Sequence, residues 1–147
     1  MSLSEVVSVL GDIPMFRNVE AKRLKLLAMM GETLTFRAGE RLFEQGDDGD
    51  AAYVVLSGAV DVLIPTDAGE TSVAVLGAKE IFGEMAVLCD QPRTTAIAAN
   101  CDLKVLRLDR QAMLNMLSEF PDIALELIRV LAARLEATTR DLAAARA

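Results

Sequence analysis

The chain has 147 residues, with 22 acidic side chains against 15 basic ones, a net charge of −7 and no histidine. That length suits one domain with an ordinary core, and the acidic balance argues against nonspecific nucleic-acid binding, which relies on basic patches. Without histidine the commonest general base, the commonest metal ligand and a histidine-held haem are all excluded, and two cysteines fall short of the four thiolates of an iron–sulfur cluster.

The first ten residues, MSLSEVVSVL, carry no basic side chain, so no secretory signal is expected. Mean hydropathy is +0.33, yet no run approaches the roughly 18 apolar residues of a membrane helix. A cytoplasmic protein without membrane insertion is the expectation. Residues 4–10 predict a short helix, broken by Gly11-Asp12-Ile13-Pro14, and residues 20–30 a second, with Leu24, Leu27 and Ala28 at helical spacing. From Glu32 the pattern changes to short strands punctuated by glycine: TLTFRAG, RLFEQG, AAYVVLSG, AVDVLIP and TSVAVLG. This rhythm predicts a mainly β fold with flanking helices, a barrel or jelly roll (double-stranded β-helix). Residues 37–40 and 45–49 read as turns, and 65–70 as a solvated hairpin loop.

Residues 82–96 read FGEMAVLCDQPRTTA. Gly83-Glu84 opens a short helix over 83–88, whose first backbone N–H groups lack acceptors and form an anion seat. Arg93 adds a permanent charge and a planar fork of donors suited to phosphate oxygens. A carboxylate at Glu84 suits such a site when the anion also offers hydroxyls, as a ribose phosphate does. Between Pro92 and an apolar strand, Arg93 is expected to be partly buried with a partner, and Glu84 is one candidate for it. Upstream, Val73, Val75 and Leu76 offer apolar contact for a purine face, with plain core packing as the competing reading. Met85 and Val87 read as core, and Cys89 and Cys101 as free, half-buried thiols.

Two further strands follow, over 95–99 and 103–108, and Asp109 caps a helix to about Ser118. Pro121 fits the first turn of a final helix that passes Leu142, on the order of 30 Å long. In that helix Ala124, Ile128, Leu131, Leu135, Thr138 and Leu142 form a heptad seam. The same stripe would serve a helix that packs on its own barrel. The chain thus divides into helices over 4–30, a barrel over 32–108 with the inserted helix, and C-terminal helices over 109–143, read together as one domain over 1–147.

FGEMA followed by PRTTA resembles the phosphate-binding cassette of the cyclic-nucleotide-binding domains, the family of bacterial catabolite activators, kinase regulatory subunits and nucleotide-gated channels. The resemblance implies that Gly83 and the following amides bind the cyclic phosphate, Glu84 the ribose 2′-hydroxyl, Arg93 an exocyclic oxygen, and Thr94 phosphate or base. It implies a ligand-binding set of Phe82, Gly83, Glu84, Met85, Ala86, Arg93, Thr94 and Thr95, to which the upstream Val73 and Val75 add the apolar contact read above. The final helix resembles the activators' dimer helix, which implies a homodimer, with Thr138 and Thr139 at the adenines of both protomers. The activators continue into a DNA-reading domain, so a chain ending at Ala147 is expected to be a stand-alone module or the effector half of a truncated transcription regulator.

The expected function is a non-catalytic receptor for cyclic AMP ahead of cyclic GMP, needing no metal, haem or iron–sulfur cluster. It would signal through its C-terminal helix to an unknown downstream protein and bind no nucleic acid. The rival readings are an interaction domain of the same fold that no longer binds nucleotide, and a cupin-like metalloenzyme.

Overall fold

Ser2 and Glu5 close a capping box over helix α1 (Leu3–Asp12): the Ser2 hydroxyl accepts from the Glu5 amide at 3.2 Å, and the Glu5 carboxylate from the Ser2 amide at 3.4 Å. The structure, a computed structural model, describes residues 1–146. The helix runs through Gly11 and Asp12, where a break was expected. A glycine inside a helix costs only about 1 kcal/mol, whereas Pro14 drives the residue before it, Ile13, into extended backbone. Pro14 itself opens a 3-10 turn, Pro14–Phe16, ahead of α2 (Ala21–Met30), which buries the expected Leu24, Leu27 and Ala28.

Eight strands follow: β1 (Glu32–Phe36), β2 (Arg41–Phe43), β3 (Ala51–Ser57), β4 (Ala59–Thr66), β5 (Gly69–Gly77), β6 (Ile81–Phe82), β7 (Ala96–Ala99) and β8 (Leu103–Asp109). They form two four-stranded antiparallel sheets, ordered β1-β8-β3-β6 and β2-β7-β4-β5. This is the jelly roll that the glycine-punctuated strands predict. Between them lies an apolar core that includes Tyr53, Val55, Val60, Phe82, Ile97, Leu103 and Val105. Central β3 is buried from Ala51 to Leu56, which explains why AAYVVL shows no alternation. Edge strand β5 carries a bulge: Val62 faces Ala74 and Leu63 faces Ser72, leaving Val73 as the extra residue.

Helix α3 (Glu84–Leu88) sits between β6 and β7, and α4 (Arg110–Glu119) begins where Asp109 accepts from the Ala112 amide at 2.8 Å. The final helix, α5 (Pro121–Arg146), spans 26 residues, about 39 Å rather than about 30. The chain divides into two compact units, Met1–Met113 and the segment from Leu114 onward. In the second unit Ile123 and Leu127 are buried, while Ile128, Leu135 and Leu142, seven residues apart along the expected seam, are more than half exposed.

Two expectations fail at the surface. Cys89 and Cys101 are both exposed, because one ends α3 and the other lies in the turn between β7 and β8. Met85 is 52% exposed, because a five-residue helix buries a single face, here Glu84, Ala86 and Val87.

Candidate functional site

Strand β6 ends at Phe82; the next residue, Gly83, has a φ of +78° in the left-handed region, and α3 starts from there. Glycine is required twice over. That backbone is costly for any residue with a Cβ, and a Cβ at Gly83 would lie 2.8 Å from Nη1 of Arg93. Glu84 follows in the first turn, only 2% exposed, where a carboxylate complements the helix dipole. The opening amides of α3 have no acceptors within the helix. Gly49 closes the other side, since its absent Cβ would meet the Ala86 Cβ at 2.4 Å. The turn over 45–49 therefore packs directly on α3.

Arg93 is delivered by the same turn. Its amide donates to the Asp47 carbonyl and its carbonyl accepts from the Gly46 amide, both at 2.8 Å. The side chain is 2% exposed. Nη1 donates to the Gly83 carbonyl at 2.7 Å and Nη2 to the Ala51 carbonyl at 2.6 Å, with Asp50 Oδ1 at 3.5 Å. The guanidinium carbon stands 4.1 Å from the centre of the Phe43 ring. Phe43 in turn joins Tyr53 and Phe82, which stack with centroids 5.1 Å apart. Nε is buried and has no hydrogen-bond partner among the described residues. Burial pulls the Arg93 pKa below its ordinary value, and the nearby Asp50 carboxylate works against that. Asp50 also accepts from Arg107 at 3.1 Å. Burial lowers the Arg107 pKa as well, but its hydrogen bonds and the Asp50 charge leave it raised on balance.

The first unit therefore brings together Phe82, Gly83, Glu84, Ala86 and Arg93. Thr94 is exposed and Thr95 half-buried just beyond them. Val73 and Val75 are both more than half exposed. Val75 pairs with Asp61, on the face opposite Leu76, whose partner Val60 lies in the core. Val73 occupies the bulge. Thr138 and Thr139 belong to the second unit, are exposed, and donate to the Arg134 and Leu135 carbonyls at 2.9 Å. Both hydroxyls thus find an acceptor within their own helix. Sequence reasoning missed Phe43, Gly49, Asp50 and the Ala51 carbonyl. The available signal was the Gly-Asp-rich stretch 45–49, which read only as a turn, with Asp50 directly after it.

Residues 33–120 match the cyclic nucleotide-binding domain family. The chain belongs to that family. A CRP-like cAMP-activated global transcriptional regulator of Mycobacterium tuberculosis is 29% identical over 92% of this chain and 61% of its own length. The crystal structure of the Thermus thermophilus catabolite activator protein aligns with a TM-score of 0.78 at 32% identity, over 88% of this chain and 61% of that one. The N-terminal domain of a Streptomyces coelicolor transcriptional regulator aligns with a TM-score of 0.67 at 33% identity, over 88% and 94%. The chain thus spans about three fifths of the first two relatives.

The residues present fit the family's ligand. A buried arginine retains one unpaired N–H beside a glycine-opened helix start, and a buried carboxylate follows that glycine.

Proposed function

We propose that this chain is a non-catalytic receptor that takes cyclic AMP ahead of cyclic GMP and acts as one domain over residues 1–147. The observation that carries the reading is Arg93, buried against the Gly83 and Ala51 carbonyls with its Nε unpaired. An anion at that edge would supply the missing acceptor, joined by the amides opening α3. Glu84 would accept from the ribose 2′-hydroxyl, and Thr94 would reach phosphate or base from the rim. The rest of the proposed ligand set is Phe82, Met85, Ala86, Thr95, Val73 and Val75. The preference for adenine rests on the Mycobacterium relative, described as cAMP-activated, and on Thr138 and Thr139.

The exposed stripe of Ile128, Leu135 and Leu142 supports pairing of α5 with its copy in a homodimer. Signalling through this helix would mean that ligand binding favours pairing and that pairing strengthens binding by the same factor. The reading invokes no metal, haem or iron–sulfur cluster and no nucleic acid; its downstream partner is another protein. It is consistent with a cytoplasmic location, and no helix among the described residues is long and apolar enough to cross a membrane.

Calorimetric titration with cyclic AMP, cyclic GMP and cyclic di-GMP tests the proposal. Saturable binding of cyclic AMP, tighter than the other two, is expected. Absence of heat with all three would leave an interaction domain that no longer binds nucleotide.

A further inference from the structure

Helix α2 is apolar on two sides. Leu24, Leu27 and Ala28 are buried, and that stripe accounts for its packing on the domain. Leu26 and Met29 lie on the other side, 55% and 63% exposed. They share it with Lys22 and Lys25, because helix positions spaced by three, four and seven form one face. Toward the start of α2 this face borders an open groove of about 550 Å³, lined by Leu3, Ser4 and Val7 of α1 and by Ala21, Lys22 and Lys25 of α2. Both helices belong to the first unit.

The fold does not account for the charge on this face. α2 holds Lys22, Arg23 and Lys25 and no acidic residue, in a chain of net charge −7. Cations in the first turns of a helix oppose its dipole, and Glu20 at the N-cap makes no side-chain cap bond. Among the described residues, neither Lys22 nor Lys25 forms an ion pair. Glu5, in the first turn of α1, is held in its own capping box with Ser2. An apolar stripe with unpaired ammonium groups calls for a ligand that brings apolar contact and carboxylates together.

We propose that the groove between α1 and α2, continued along Leu26 and Met29, docks an acidic amphipathic helix of a partner protein. From Ala21 to Met29 the face runs for about 12 Å, roughly two helical turns. That is the length over which a helix laid in a groove places its anchor side chains. Carboxylates of the partner pair with Lys22 and Lys25, and the flexible Met29 adapts to its apolar residues. Charge disfavours two other occupants. A second copy docked through this face across a two-fold sets a lysine-lined groove against itself. An anionic bilayer attracts the lysines but repels a chain of net charge −7, whereas a single helix meets only the groove. The inference is separate from the nucleotide reading and stands or falls without it.

The test is an NMR titration of the whole chain in the absence of nucleotide. The probe is a helix-constrained peptide of Leu, Ala and Glu, about 14 residues long, with leucines along one face and glutamates beside them. Amide shifts confined to α1 and α2 are expected. Lys22→Glu combined with Lys25→Glu should weaken binding about tenfold or more, the scale of two exposed ion pairs lost. Leu26→Ser combined with Met29→Ser, at unchanged charge, should weaken it by a similar factor. All four side chains are exposed, and circular dichroism verifies the fold of each variant. A scrambled peptide of the same composition should not bind; equal binding would reduce the face to general charge attraction and overturn the proposal. Absence of shifts at millimolar peptide, or an affinity untouched by either pair of substitutions, would overturn it as well. Vesicles of equimolar phosphatidylglycerol and phosphatidylcholine, and a dilution series of the chain alone, complete the experiment. Response of α1 and α2 to vesicles but not to peptide would assign the face to a lipid surface instead. Self-association that shifts the same amides would assign it to a second copy.

Discussion

Arg93→Leu tests the site at its centre. In the ligand-free protein the substitution leaves the Gly83 and Ala51 carbonyls without the Arg93 donors that now lie at 2.7 and 2.6 Å. Hydrogen bonds to a charged group contribute about 1.5–3 kcal/mol each, so the gross loss is about 3–6 kcal/mol. Relief of a buried cation and about 1.5–3 kcal/mol from burying a leucine side chain oppose it, leaving a net destabilisation of about 1–3 kcal/mol. Ligand binding loses more. Truncating one member of a buried, hydrogen-bonded charge pair costs about 2–5 kcal/mol, or roughly 30-fold to several thousand-fold in Kd. Because the side chain is only 2% exposed, solvent screening does not shrink that figure. Calorimetry with cyclic AMP is the assay, with circular dichroism to verify the fold. Arg93→Lys, keeping the charge but not the fork, should fall between. Cyclic AMP affinity within about threefold of the unsubstituted chain, in folded Arg93→Leu, would refute the phosphate role.

Gly83→Ala should cost about 1–2 kcal/mol in urea denaturation for the left-handed backbone alone, and should weaken cyclic AMP through displacement of Arg93; unaltered values for both would contradict the turn geometry. A 2′-deoxy cyclic nucleotide should bind less tightly than its parent, and Glu84→Ala should erase the difference; equal binding of the two ligands to the unsubstituted chain removes Glu84 as the ribose reader. Thr138→Ala should weaken cyclic AMP more than cyclic GMP, and Leu135→Glu should abolish dimerisation by facing like charges across the two-fold. Sedimentation at several concentrations checks the second, and a chain that is monomeric with and without nucleotide would make the seam intramolecular. Glu70 has its pKa lowered by the hydrogen bond from Arg41. Its contribution to stability is therefore full above the ordinary carboxylate pKa and is lost as pH falls through the lowered value. Arg41→Gln should return the Glu70 titration, followed by NMR, to the ordinary range; an unmoved midpoint would deny the pairing.

Several features of this chain are decided locally and were legible in sequence. Asp109 with the Ala112 amide is a short-range cap, and Pro121 starts a helix because a missing N–H costs nothing there. The glycine spacing predicted short strands, and the order Gly83, Glu84, Arg93 predicted the cassette, because its turn and helix start are built from consecutive backbone. What surrounds Arg93 was decided only by the tertiary structure. The Ala51 carbonyl and the Asp50 carboxylate lie 42 and 43 residues away. Neither a carbonyl nor a turn aspartate carries a sequence signature of the cation it will meet. Val75 shows the same limit from the opposite direction. Its chemistry suits an interior, but the register of β5 against β4 sets it opposite Asp61. In a strand, adjacent residues face opposite ways, so register alone chooses the face. Composition and spacing specify which groups a segment offers; only the packed fold determines which of them come together.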